Sequence, residues 1–208
     1  TNRITIEGVK ELHGAEHTVI PDRIEAGTFI IAGAIAGKRV TVKRCNPGHM
    51  TAFLKTLTDS GYPVEVNGED VTISRASNPR GSDIRTEPYP GFPTDMQAQF
   101  SALYATVPGI SVITETIFPQ RFMHAPELNR MGAQITLEGP TAIIKGVEQL
   151  TGAPVMASDL RASAALVLAG LTARGDTEVN RLYHIDRGYE HIDEKLRRIG
   201  AKMRRARG

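Results

Sequence analysis

Apolar positions along this chain keep two rhythms. Three runs of small and branched apolar residues, DRIEAGTFIIAGAIAG from Asp22, DMQAQFSALYATVPG from Asp95 and DLRASAALVLAGLTARG from Asp159, each open on an aspartate. Each is followed by a segment in which apolar and polar residues alternate: RVTVKR from Arg39, ISVITETI from Ile110 and DTEVNRLY from Asp176. Helical spacing in the first set predicts helices, and alternation in the second predicts strands with one buried face. Second helical segments follow, HMTAFLKTLTDSG, APELNRMG and YEHIDEKLRRIG, ending at Gly61, Gly132 and Gly200. Beyond Gly61, PVEVNGEDVTISR turns at Asn67-Gly68, and beyond Gly132, AQITLEGPTAIIKG turns at Gly139-Pro140, so both read as hairpins.

The opening aspartates lie 73 and 64 positions apart and the closing glycines 71 and 68, an internal repeat of about 70 residues. Each element has a local cause. An aspartate ahead of an apolar run accepts backbone N–H groups and suits the positive end of the helix dipole. A glycine after a helix supplies the left-handed conformation that ends it. The unit is strand, helix, strand, helix and a hairpin, in some cyclic order. Because the first helices are rich in Ala, Gly and Leu, they are expected to be buried on all sides, with sheets around them.

The ends of the chain fit the same repeat. ITIEGVKELHGAEHTVIPD, from Ile4, resembles AIIKGVEQLTGAPVMASD, from Ala142, which links two repeats. Residues 1–20 are therefore expected to be the tail of a preceding repeat, and residues 21–208 three repeats of which the last is incomplete. AKMRRARG at the C-terminus reads as the first strand of a hairpin with no return strand. The expectation is a piece of a longer chain, with an open sheet edge through which copies could pair.

Composition narrows the classes. Of the 208 residues, 25 are Lys or Arg and 23 Asp or Glu, for a formal charge of +2. The signs are interspersed, which argues against a dedicated nucleic-acid surface. The basic run Arg197 to Arg207 reads as a solvated helix end and strand. A single cysteine, Cys45, excludes an internal disulfide and fits a reducing compartment. No apolar run reaches the roughly 18 residues of a membrane helix, and TNRITIEGVKELHG has no signal-peptide layout. A soluble, cytoplasmic protein without membrane or nucleic-acid partners is expected.

Candidate chemistry lies at the helix starts. Capping accounts for an acid in every repeat, but not for Arg161 inside an apolar run, nor for the approach YPGFPTD before Asp95. Helix N-termini converging in one cleft favour anions. Arg23, Arg121, Arg161 and Arg187, at equivalent edges of the repeats, add the planar fork that phosphate and carboxylate prefer. Arg187 and Gly188 sit in YHIDRGYEHIDEKL between a strand and a helix, either as a functional loop or as solvated surface. His184 and His191 lack paired ligand spacing, so no metal is expected. Cys45, in RCNPGHM, reads as a semi-buried structural thiol.

The motifs PDRIEAGTF, FPTDMQAQF, TETIFPQRFMH, ELNRMGA, ASDLRASAALVLAGL and YHIDRGYEHIDEKLRRIGA closely resemble the C-terminal half of the bacterial UDP-N-acetylglucosamine enolpyruvyl transferases, over essentially the whole chain. The resemblance implies an α/β fold, the inside-out α/β barrel of βαβαββ repeats, with the active site between two domains. It implies transfer of the enolpyruvyl group of phosphoenolpyruvate to the 3′-hydroxyl of UDP-N-acetylglucosamine with release of phosphate, the first committed step of peptidoglycan synthesis, without a cofactor. By motif, Asp95 would contact the sugar hydroxyl and serve in its deprotonation. Thr94, Ile117 and Phe118 would line the nucleotide-sugar side. Asp159, Arg161 and Arg187 would line the phosphoenolpyruvate side, and Arg23 and Arg121 would complete the anion-binding set. The family's reactive cysteine belongs to the N-terminal half, and Cys45 does not stand in its context. The chain alone is thus expected to lack turnover and to need that missing half as partner. A stand-alone binding or assembly module, and half of a shikimate-type enolpyruvyl transferase, are the alternatives.

Overall fold

A helix with no polar face has to be covered all round, and the arrangement of the chain follows from that requirement. The computed structural model describes residues 3–206. In the first repeat α1 (Arg23–Ala36) leads into β1 (Arg39–Val42), then α2 (Thr51–Asp59) and the hairpin β2 (Val64–Asn67) and β3 (Asp70–Ser74). Both β1 and β2 run antiparallel to β3, with Val40 and Val64 opposite Ile73. The second repeat has β4 (Ile84–Arg85), α3 (Gln97–Tyr104), β5 (Ile110–Thr114), α4 (His124–Arg130) and the hairpin β6 (Gln134–Glu138) and β7 (Thr141–Lys145). Its sheet has the order β4-β5-β7-β6, in which β4 is parallel to β5. The third repeat has β8 (Pro154–Met156), α5 (Leu160–Gly170), β9 (Glu178–Asn180), α6 (Tyr183–Asp186) and α7 (Ile192–Arg198), with β8 parallel to β9. Gly61, Gly132 and Gly200, which close the three helical segments, hold φ of 86°, 90° and 102°. That left-handed conformation is the stop expected at each of them.

The helices α1, α3 and α5 pack against one another at the centre, and the sheets stand outside them. Every residue of α3 is buried, as are Ala162 to Ala169 of α5. Phe100 of α3 meets the edges of Phe53, Phe92 and Tyr104 with centroids 5.6, 5.1 and 5.4 Å apart, geometry that suits aromatic quadrupoles. The Tyr104 hydroxyl is satisfied by Ser60 and Ser82, each at 2.7 Å. The expected inside-out α/β arrangement is the one observed.

Local departures have identifiable causes. Asp95 is not a helix cap. It lies in a 3-10 turn, Thr94–Met96, which follows the extended Pro93, and it makes no capping bond. The strand expected through Tyr183 ends at Asn180, because Arg181 turns the backbone with φ of 61° and α6 begins two residues later. The helix expected from Tyr189 starts at Ile192, after His191 at φ of 47°. No strand forms over residues 201–206. A strand needs a ladder partner, and here Ala201 N–H turns back to the Leu196 carbonyl while Arg205 reaches Asp186 and Asp193. Among the described residues the expected open hairpin edge is therefore not formed; residues 207 and 208 of that segment lie outside the described residues. Residues 3–22 form neither helix nor strand and are solvent-exposed, including Ile4, Ile6 and Leu12.

Candidate active site

Asp22 and Asp159 are the caps their positions promise. Asp22 Oδ1 accepts from Ile24 N at 2.7 Å and Glu25 N at 3.2 Å, and Asp159 Oδ1 from Arg161 N at 2.7 Å and Ala162 N at 2.9 Å. Such caps stabilise by about 1 kcal/mol each. The third aspartate does something else. Asp95 Oδ1 takes Arg121 Nη1 at 2.9 Å and Arg161 Nε at 3.2 Å. The close packing of α3 on α5 brings Arg161, the second residue of α5, to the turn that holds Asp95. Arg121 arrives from the turn after β5, where its N–H donates to the Phe118 carbonyl. The Arg161 side chain is only 14% exposed, so its ion pair is poorly screened by solvent. Burial works against the Arg161 charge, but Tyr189 and Asp95 outweigh it and hold its pKa above the ordinary value. Two guanidiniums thus converge on one carboxylate oxygen.

A buried acid fixes the opposite side. Glu115 is 1% exposed; its Oε1 accepts from Thr86 Oγ1 at 2.7 Å and from the N–H groups of Ile117 and Phe118 at 2.8 and 3.1 Å. Its Oε2 accepts from Thr94 Oγ1 at 2.8 Å, and Thr94 Oγ1 in turn accepts from Arg121 Nη1 at 3.3 Å. Four donors on one carboxylate compensate its burial. They also set the loop that presents Ile117, half-buried, and Phe118, 56% exposed, with the Arg121 guanidinium 5.4 Å from the Phe118 ring centroid. The structure thus brings Thr94, Asp95, Ile117, Phe118, Arg121 and Arg161 together.

Other predicted residues stand apart from this group. Arg23 donates to the His49 carbonyl at 3.3 Å and lies 4.9 Å from the Tyr89 ring. Arg187 is exposed and lines an open depression of about 590 Å³ with Asp186, Tyr189 and Arg205. Asp159 gives Oδ1 to its cap, and its Oδ2 has no hydrogen-bond partner among the described residues. His124, the first residue of α4, is 2% exposed with Nε2 unpartnered among the described residues. Burial, partly opposed by Asp159 and reinforced by Arg121, lowers its pKa to about 4. Cys45 is buried, with its thiol pushed up chiefly by burial, as a structural thiol should be. No group of three or more His, Cys, Asp or Glu that could hold a metal occurs among the described residues, and no helix there is long and apolar enough to cross a membrane.

Sequence reasoning missed Glu115, Thr86 and Tyr189. A signal for the first was present. Ser111, Ile113 and Glu115 share one face by alternation, so an acid stands on the buried side of a strand and its extension.

Central helices inside outward sheets, with arginines gathered on a carboxylate at the helix starts, define an inside-out α/β barrel of the enolpyruvyl transferase class. The family model described as EPSP synthase (3-phosphoshikimate 1-carboxyvinyltransferase) matches residues 1–196, and the chain belongs to that family. It is 62% identical to a UDP-N-acetylglucosamine 1-carboxyvinyltransferase of Akkermansia muciniphila over 99% of this chain and 49% of the relative. To one of Granulibacter bethesdensis it is 54% identical, over 100% of this chain and 50% of the relative. The chain thus spans about half the length of the curated relatives it matches. Among solved structures, the enolpyruvyl transferase NikO from Streptomyces tendae superposes with a TM-score of 0.83 at 29% identity, over 90% of this chain and 45% of that one. An EPSP synthase from Acinetobacter baumannii superposes at 0.70 and 24% identity, over 91% and 44%, a likeness of fold.

Proposed function

We propose that this chain forms one half of an enzyme that transfers the enolpyruvyl group of phosphoenolpyruvate to the 3′-hydroxyl of UDP-N-acetylglucosamine and releases phosphate, working in the cytoplasm at the first committed step of peptidoglycan synthesis. Identities of 54 to 62% to proteins carrying that carboxyvinyltransferase name favour it over the shikimate-type reaction, two solved enzymes of which are 24 and 25% identical. Residues 21–208 carry the catalytic surface as three repeats, the last incomplete, and residues 1–20 belong with a neighbouring unit of the same enzyme.

The observation that carries the reading is the state of Asp95. Its Oδ1 is occupied by two arginines, while Oδ2 has no hydrogen-bond partner among the described residues and the side chain is 36% exposed. A carboxylate held by one oxygen and open at the other can accept a proton from a sugar hydroxyl within hydrogen-bond reach. Ile117 and Phe118 form an apolar wall beside it for the nucleotide sugar, bounded by Thr94. Arg121, Arg161 and Arg187, with Arg23 at the neighbouring helix start, bind the phosphate and carboxylate of phosphoenolpyruvate, next to Asp159. The guanidiniums stabilise the charge that moves as the tetrahedral adduct forms and collapses.

The test is phosphate release from phosphoenolpyruvate and UDP-N-acetylglucosamine by this chain mixed with a separately made N-terminal half of a relative, each half alone serving as control. Release is expected only in the mixture, and not when shikimate 3-phosphate replaces the nucleotide sugar. Asp95→Asn is expected to lower the rate by at least about 100-fold, the range for loss of a general base. A folded chain that gives no release in the mixture overturns the reading in favour of a binding or assembly module.

A further inference from the structure

The segment Asp186 to Glu190 is exposed except at one residue: Tyr189 is 1% exposed. Its hydroxyl lies 2.8 Å from Thr28 Oγ1 and accepts from Arg161 Nη1 at 3.3 Å and Gln99 Nε2 at 3.4 Å. Those partners belong to α1, α5 and α3, the three central helices. The protons can be assigned by counting. The Thr28 hydroxyl gives its hydrogen to the Ile24 carbonyl at 2.9 Å, so the hydrogen between Thr28 and Tyr189 comes from the phenol. The phenol then donates once and accepts twice, which is its full capacity.

Arg161 is consequently held at two points of its fork. Nε is on Asp95 Oδ1 and Nη1 on the phenol, and the guanidinium carbon is 5.8 Å from the Tyr189 ring centroid. The loop backbone is seated equally closely. A Cβ placed on Gly188 would stand 2.6 Å from Leu160 Cδ2, so the residue between Arg187 and Tyr189 rests directly on the first residue of α5. Arg161 therefore has little freedom to leave Asp95, and the Arg187 segment little freedom to lift from α5.

We propose that Tyr189 is a positioning residue: through its hydroxyl it keeps the Arg161 guanidinium in register with Asp95, and through its buried ring it pins the segment bearing Arg187 to the central helices. This rests on the function proposed above, in which those arginines bind phosphoenolpyruvate. Burial pushes the phenol's pKa up, so the proton given to Thr28 is retained across the working range.

Tyr189→Phe removes the oxygen and keeps the ring. In the mixture of halves, turnover is expected to fall by about 10-fold or more, as misplaced catalytic groups do, with the KM for the nucleotide sugar changed by less than about twofold. In an Arg161→Met background the same substitution is expected to cost almost nothing further, because the group it positions is gone. A readout independent of turnover is the exchange with water of the Arg161 Nε–H in this chain, followed by nuclear magnetic resonance, which is expected to be slow in the parent and faster in Tyr189→Phe. If Tyr189→Phe does not fold, Thr28→Val, which deprives the phenol of its acceptor, is expected to accelerate the same exchange. Equal losses in both Arg161 backgrounds, or an Nε–H exchange rate that does not change, overturn the proposal. A parent mixture without turnover counts against the proposed function, and the Nε–H exchange still decides the role of Tyr189.

Discussion

His124 shows how a single side chain makes stability depend on pH. Its ring is buried and the folded-state pKa falls to about 4 from an ordinary 6.5. Between those values the unfolded chain binds a proton that the folded chain does not. The stabilisation is therefore fully present above the ordinary value and is lost as pH falls towards the folded one. By linkage, about 2 kcal/mol should be gone near pH 5. Urea unfolding at about pH 7.5 and pH 5 is expected to show that loss, and His124→Gln to remove most of the difference. An unchanged pH dependence in the variant would assign the effect to other groups. Glu115 is a buried acid satisfied by Thr86, Thr94 and two amide N–H groups. Glu115→Gln puts an amide N–H₂ where an acceptor is needed, and is expected to cost about 1–3 kcal/mol and to raise the KM for the nucleotide sugar more than it lowers kcat. Equilibrium unfolding and steady-state kinetics of the same variant check both parts.

At the scale of elements, glycines on α1 decide how closely the central helix approaches its surroundings. A Cβ on Gly33 would lie 2.5 Å from Ile73 Cγ2 and 2.8 Å from Val40 Cβ, both on branched side chains of the sheet formed by β1 and β3. Replacing helical glycine by alanine gains about 1 kcal/mol of propensity, but overpacking a rigid contact costs about 1–3 kcal/mol. Gly33→Ala is therefore expected to lower the melting temperature. On the same helix, a Cβ on Gly27 would meet Met96 Cε at 3.0 Å and Sδ at 3.1 Å. Methionine can move aside, so Gly27→Ala is expected to melt within a few degrees of the parent. Thermal melts of the pair separate the two cases, and equal shifts would refute the distinction. The caps follow a similar logic of position. Asp22 and Asp159 cap helices that start straight from extended backbone, whereas the turn at Thr94–Met96 leaves Asp95 free for the arginines.

Over the whole molecule, the buried side chains of the three repeats form one continuous cluster, running from Ile24 through Phe100 to Leu196. With α3 in contact with both α1 and α5, no repeat can open without exposing the others. A single unfolding transition is expected, superimposable by far-ultraviolet circular dichroism and tyrosine fluorescence; separated transitions would mean that the repeats unfold independently. The segment 3–22 lies outside this unit. Its backbone N–H groups donate to no partner among the described residues, and its amides should exchange at unprotected rates while those of α3 and α5 are the slowest.

The repeat, the helix ends and the caps were readable because each is set within a few residues. The hairpin after Asn67, whose two-residue loop is Gly68-Glu69, one position beyond the expected Asn67-Gly68, the stops at Gly61, Gly132 and Gly200, and the caps at Asp22 and Asp159 depend on local backbone preference and short-range hydrogen bonds. Burial of the central helices was readable too, because a run with no polar face leaves solvent no side to occupy. The site needed the tertiary structure. Arg161 and Asp95 are 66 positions apart and Tyr189 and Thr28 are 161 apart, so no local pattern pairs them. The expected strand at residues 201–206 failed for the complementary reason, that alternation makes a strand only where a partner completes its ladder. Side-chain type and spacing determined which elements form and which faces they bury. Which charged groups then meet across those faces depended on how three helices pack, because Asp95 and Arg121 come from the second repeat, Arg161 and Tyr189 from the third, and Thr28 from the first.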